Sequence, residues 1–236
     1  MKPRLLAASR VPAIALTSLL ALAAGCHMPG SKHIEDVERP DSITGFSTLY
    51  SQNCSGCHGA NGQNGAALDL SNPIYQGWVN DGTLQRIISM GEPPTQMPAF
   101  AQSSGGMLTD AQVDALVAGM RAAWPSNGAL NGLNPPPSQP SGPSDPEQGQ
   151  KTYQVACARC HSQPNQQVTD PTYLAMINNR TLRTIIIAGR PDLGHPDWRG
   201  DIPGRPLTGQ EVNDIVAYLN SLRTETPGQP YSHPQQ

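Results

Sequence analysis

The sequence is poor in the material of a large core. Phe occurs twice, aromatic residues make up 5% of the 236 positions and charged residues 14%. The apolar share is 37%, diluted by 23 Gly and 24 Pro. That composition argues against one big hydrophobic interior and suits one or two small domains. Small domains bury too little surface to be comfortably stable without a staple or a prosthetic group. A long membrane-spanning run is also missing: the apolar stretch from Val11 to Ala24 has 14 residues, where an ordinary transmembrane helix needs about 20. Basic residues do not dominate, and the formal charge is −3. Nucleic acid is therefore not an expected partner, since it would call for a basic patch or stripe.

Cysteine is scarce too, and its placement is informative. Four of the five cysteines fall in two copies of one pattern, Cys54-Ser55-Gly56-Cys57-His58 and Cys157-Ala158-Arg159-Cys160-His161. Two cysteines three apart with histidine directly after the second read as a covalent c-type haem site. Each thiol can form a thioether with a haem vinyl group, and the adjacent imidazole becomes the proximal iron ligand. The competing reading is zinc, which wants four tightly grouped N/S ligands rather than pairs roughly a hundred residues apart. The expected cofactors are thus two covalently bound haems c, held by Cys54, Cys57, Cys157 and Cys160 with His58 and His161 on the irons. With these cysteines used, no structural disulfide is left to propose.

The fifth cysteine closes a targeting segment. Lys2, Arg4 and Arg10 precede the apolar run, which ends in Leu22-Ala23-Ala24-Gly25-Cys26. This resembles a bacterial lipoprotein signal, with Cys26 lipidated at the mature N-terminus; ordinary secretion with a leftover thiol is the alternative. Either way residues 1–25 are excluded from fold reasoning. The protein is expected to be exported and held to the membrane by lipid on the extracytoplasmic, periplasmic side. Removing the signal takes three of the 15 basic residues and no acidic one, leaving 12 against 18, or −6.

Residues 26–41 read as a tether and 224–236, with Pro227, Gly228, Pro230 and Pro234, as a disordered tail. Between them the chain repeats itself. Tyr50 and Tyr153 each stand four before the first motif cysteine. From Pro73 to Pro98 the halves align without a gap at an offset of 98, pairing Tyr75 with Tyr173, Ile87-Ile88 with Ile185-Ile186 and Gly91 with Gly189. Two domains follow, 42–124 and 146–223. Each has an apolar-striped helix entering the motif (Ser42 to Asn53 in the first), a short helix (Thr83–Met90 in the first), and a C-terminal amphipathic helix. Those last helices open on Thr109-Asp110-Ala111-Gln112 and Thr208-Gly209-Gln210-Glu211, both capping boxes. The Pro-, Gly- and Ser-rich segment 125–145 reads as a semi-rigid interdomain spacer. The fold class is all-α.

The sixth iron ligand sets the job of a haem. In the first half Met120 sits on an amphipathic face and Met90 in the short helix, so both read as packing, and Met107 has no counterpart in the repeat. Met97, in a loop 39 residues after His58 and followed by Pro98, is the candidate ligand. The repeat places His195-Pro196 opposite Met97-Pro98, so His195 is the candidate for the second iron. An open fifth-coordinate site and Met176 remain as alternatives, although Met176 aligns with Trp78 and reads as core. His27, His33 and His233 lie in tether or tail and read as solvated. Imidazole favours ferric iron and thioether ferrous iron, so the second haem is expected at the lower potential, with electrons running from it to the first.

Each half resembles a class I cytochrome c domain: a helix into CxxCH, a loop bearing Met-Pro, and an amphipathic helix after Leu-Thr. The pair resembles the tandem dihaem, cytochrome c4-like proteins of bacterial respiratory chains. That resemblance implies an electron carrier between a respiratory reductase and a terminal acceptor such as an oxidase. Its partners are other redox proteins of the membrane chain, with no catalytic residues and no small-molecule substrate. In that family methionine ligates both irons; His195 departs from the pattern. A dihaem peroxidase-like enzyme and a fixed haem subunit of a respiratory or dehydrogenase complex are the rival readings.

Overall fold

The computed structural model describes residues 39–93, 95–163 and 168–223. The expected signal, most of the expected tether, the expected lipidation site Cys26, His27, His33, His233 and the expected tail lie outside them. Among the described residues the regular structure is helical, and extended pairing is limited to isolated bridges. None of their helices is long and apolar enough to cross a membrane.

The first half runs α1 (Phe46–Asn53), α2 (Ser55–His58), α3 (Pro73–Trp78), α4 (Asp81–Met90) and α5 (Asp110–Ala123). The second runs α6 (Pro146–Ala156), α7 (Ala158–His161), α8 (Pro171–Ala175), α9 (Asn179–Ala188) and α10 (Gly209–Ser221). Both capping boxes form in full, satisfying backbone N–H groups that a helix start otherwise leaves unpaired. Helix α1 begins at Phe46 rather than near Ser42. Gln112 Nε2 donates to the carbonyls of Pro40 (2.8 Å) and Ile43 (2.9 Å), which binds that stretch to α5 before helix can start. The short helices α3 and α8 open at Asn72-Pro73 and Asp170-Pro171, whose side chains cap them; proline at the first helical position was the available signal.

In each half the helix entering the motif packs on the C-terminal helix, α1 on α5 and α6 on α10. The halves fill this crossing in opposite ways. In the first, Phe46 on α1 covers Gly119 on α5, where a Cβ would lie 2.2 Å from the Phe46 ring. In the second, Gly149 stands in the place of Phe46, and a Cβ there would lie 1.9 Å from the Asp214 carbonyl oxygen. The aromatic ring has moved to the other helix, where Tyr218 packs at 5.4 Å from Tyr153, as Phe46 packs at 5.5 Å from Tyr50. One ring and one glycine thus serve each crossing, with the donor helix exchanged.

The halves also touch directly. Helix α3 packs on α9, and buried Asn72 donates through Nδ2 to the Ala188 carbonyl at 2.7 Å. Segment 125–145 runs between the halves and is also fastened to both. Pro136 is buried, its carbonyl accepts from Trp78 Nε1 (2.9 Å), and the next carbonyl, of Pro137, accepts from Arg183 Nε (2.8 Å). Prolines lack an N–H and cannot join a regular ladder, so their carbonyls are open to side-chain donors from both halves.

Gly149→Ala is expected to lower the stability of the haem-loaded protein by about 1–3 kcal/mol, the usual cost of overpacking, or more because the obstacle is backbone. Gly82→Ala, whose Cβ would meet nothing closer than 3.7 Å, is the control and should cost nothing measurable in the same denaturant titration.

Candidate haem-binding sites

Each motif is a single helical turn hung from the helix before it. Cys54 N–H donates to Tyr50 O (2.8 Å) and His58 N–H to Cys54 O (3.0 Å). In the repeat Cys157 donates to Tyr153 O (2.8 Å) and His161 to Cys157 O (3.0 Å). Residues three and four apart on such a turn share a face, so two thiols and an imidazole are presented together. All four thiols are free. Burial pushes the Cys54 thiol up to about 11, with Cys57 adding to it, and pushes Cys157 up to about 12, with Asp201 adding to it. Thiols so raised stay protonated near neutral pH.

The imidazoles are prepared for metal. His58 Nδ1 lies 2.8 Å from the Leu68 carbonyl. A carbonyl can only accept, so Nδ1 carries the proton and Nε2 keeps its lone pair outward, the usual arrangement of a ligating histidine. Burial depresses the His58 pKa against the opposing effect of the Leu68 bond, and the Arg190 cation depresses it further. His195 repeats the arrangement: Nδ1 donates to the Pro196 carbonyl at 2.7 Å. Burial likewise depresses its pKa, with His161 and Arg190 adding to the effect.

His161 and His195 come together, their ring centroids 5.9 Å apart. An imidazole–metal bond is about 2 Å long, as at zinc, so nitrogens on opposite sides of one metal are about 4 Å apart, and each ring centre lies a little behind its nitrogen. The observed separation is close to that sum, a few tenths of an ångström under it. His195 is also where the repeat requires it. A Cβ on Gly91 would meet the Pro98 carbonyl carbon and Ala99 N, and one on Gly189 would meet the Pro196 carbonyl carbon and Asp197 N. The loops therefore keep the same register at this contact, with His195 in the place of Met97. Met97 is half-buried against the core, its N–H donating to Thr95 Oγ1 at 3.2 Å.

The other methionines separate clearly. Met120 is buried, as its stripe requires. Met90 and Met176 are 58% and 51% exposed, contrary to the expectation that they pack. Leu84 and Ile88 turn α4 inward and Leu174 turns α8 inward, and a residue two further along points away.

A family model described as cytochrome c oxidase, cbb3-type, subunit III matches residues 41–118 and again 144–219. The chain belongs to that family. It is a tandem c-type cytochrome, an electron-transfer protein of two all-α cytochrome c domains, and the family implies covalently bound haem c. Comparison with curated proteins gives no match.

The residues of the cytochrome fit that group. Among the described residues no three His, Cys, Asp or Glu side chains converge as a metal cage, which a zinc reading would need. A second sign lies in the paired tyrosines. Tyr50 donates its hydroxyl to Gly59 O at 2.8 Å, which Gly59 presents from the left-handed region at φ 78°. Ser162, in the same place, is right-handed helical at φ −89°, and the Tyr153 hydroxyl is buried without a partner. Burial pushes that hydroxyl up to about 12, with Cys157 and Tyr218 adding to the effect. A buried unpaired hydroxyl costs about 1–3 kcal/mol, and an acceptor supplied in the loaded protein would relieve it. The sequence showed the matched tyrosines, but not which had lost its acceptor.

In the haem-loaded cytochrome, Tyr153→Phe should cost about 0.5–1.5 kcal/mol, and so should Tyr50→Phe, which loses the bond to Gly59. Unchanged or improved stability on urea titration of Tyr153→Phe would mean that the second site supplies no partner.

Proposed function

We propose that the chain is an exported dihaem cytochrome, anchored through lipid on Cys26, that carries single electrons between a membrane reductase and a terminal acceptor such as an oxidase. Cys54 and Cys57 hold the first haem, with His58 and Met97 on its iron; Cys157 and Cys160 hold the second, with His161 and His195. When bound, each haem supplies a one-electron ferric–ferrous couple. The protein's part is to set the two couples apart: a thioether favours ferrous iron and a second imidazole favours ferric iron. Electrons accordingly run from the second half to the first. The facing of His161 and His195 at 5.9 Å carries this reading, because a closed second site suits electron transfer, whereas a peroxidase-like enzyme needs an open one.

The family description favours one variant of the same role, a fixed subunit of a membrane oxidase rather than a free carrier. Docking onto redox proteins is common to both, and neither calls for a small-molecule substrate or nucleic acid. Carbon monoxide added to the reduced protein tests the closed sites: neither haem should bind it rapidly. Rapid binding at one haem would favour the enzyme. Mild detergent extraction separates the two variants, since a fixed subunit leaves the membrane with its complex and a carrier leaves alone.

A further inference from the structure

The two distal-ligand loops are rooted in the same way, and each root reaches into the opposite half. Glu92 follows Gly91 and Arg190 follows Gly189, so the repeat makes them counterparts. Glu92 N–H donates to Met97 O at 3.1 Å, and Arg190 N–H to His195 O, also at 3.1 Å. His195 N–H returns a bond to Arg190 O at 2.9 Å, closing the loop into a small antiparallel bridge.

Their side chains then cross. Glu92, 11% exposed, accepts from Arg180 Nη1 (2.9 Å) and Asn178 Nδ2 (3.1 Å), both at the start of α9. Arg86, from its own half, stands at 3.8 Å. Arg190, 8% exposed, forms a bidentate pair with the fully buried Asp192 side chain (2.9 and 2.8 Å). It also donates from Nη2 to Gly65 O of the first half at 2.9 Å. Asp192 in turn accepts from Asn64 N–H at 2.8 Å. Gly65 lies against the Cys57–His58 backbone so closely that a Cβ would sit 2.2 Å from Cys57 O. Thus the base of the His195 loop grips the turn behind the first haem motif, while the base of the Met97 loop grips the helix that leads to His195.

We propose that Glu92 and Arg190 are reciprocal positioning residues, each holding one distal ligand loop against the opposite half, so that ligation at each haem depends on contact between the halves. This rests on the reading that Met97 and His195 are the sixth ligands. Low exposure and charge-assisted bidentate geometry make such contacts strong and directional, and a packed interface of this kind shifts between discrete arrangements rather than bending smoothly.

The test uses the haem-loaded protein and the variants Arg190→Gln and Glu92→Gln, with low-temperature magnetic resonance and a redox titration on each. Simple electrostatics and ligand positioning predict opposite signs. Removing the Arg190 cation alone would lower the second midpoint; loss of His195 from ferric iron raises it. Removing the Glu92 anion alone would raise the first midpoint; loss of Met97 from ferrous iron lowers it. Positioning predicts a tenfold or greater loss of ligand occupancy, seen as a weaker bis-imidazole signal in Arg190→Gln and an upward shift of about 59 mV per tenfold for a one-electron couple. Glu92→Gln should shift the first midpoint down. Midpoints that follow the charge, or ligand signals unchanged in both variants, overturn the proposal. If Arg190→Gln fails to accumulate, Arg190→Lys keeps the charge but loses the planar fork and must still weaken the bis-imidazole signal. Trp78→Phe, which removes an interface bond away from both loops, should leave every signal as in the parent. A parent protein without a bis-imidazole signal would instead refute the ligand reading itself.

Discussion

The structure depends on one covalently reactive helical turn in each half. Cys54 to His58 continues α1 after a single break, tied back by the bond to Tyr50 O. Because α1 is in turn packed on α5, the two thiols and the imidazole inherit the rigidity of that crossing. The second half reaches the same end with the large and small residues exchanged between helices, Gly149 opposite Tyr218 instead of Phe46 opposite Gly119. What the duplication preserves is therefore the crossing itself, while its filling changes: Gly119 lies under a ring, and Gly149 lies directly on the backbone of α10. The residues that achieve it were free to change places.

The distal side obeys a different constraint. Nothing in a short irregular loop would by itself hold Met97 or His195 still, and each loop is closed by a bond from the residue two after the preceding helix. His58 and His195 share a device: Nδ1 is committed to a backbone carbonyl, Leu68 for His58 and Pro196 for His195. The proton is thereby fixed on Nδ1, which leaves Nε2 as the nitrogen that would take a metal. A methionine needs no such arrangement, and at position 97 the backbone is steadied through Thr95 instead.

Much of this was legible in the sequence. Covalent haem chemistry lay in the spacing of Cys54, Cys57 and His58, and the match of Met97 to His195 lay in an ungapped repeat. The capping boxes at Thr109 and Thr208 are local chemistry and formed as written. Three features were not legible, each because it depends on groups far apart in the chain. The segment 125–145 looked like a spacer because proline content reports what a backbone cannot do, not which donors will find its carbonyls. Helix α1 started late because Gln112, some seventy residues on, claims the carbonyls of Pro40 and Ile43. Glu92 and Arg190 acquired their partners only when the packing of the halves brought Arg180 and Gly65 to them.

The account stands on two haems that share one attachment chemistry and differ at the far ligand. Low-temperature magnetic resonance of the fully oxidised protein examines that directly. It predicts two ferric signals of equal intensity, one from a histidine–methionine pair and one from a histidine–histidine pair, the second altered by His195→Met. Two identical signals, or a second signal indifferent to the substitution, would contradict it.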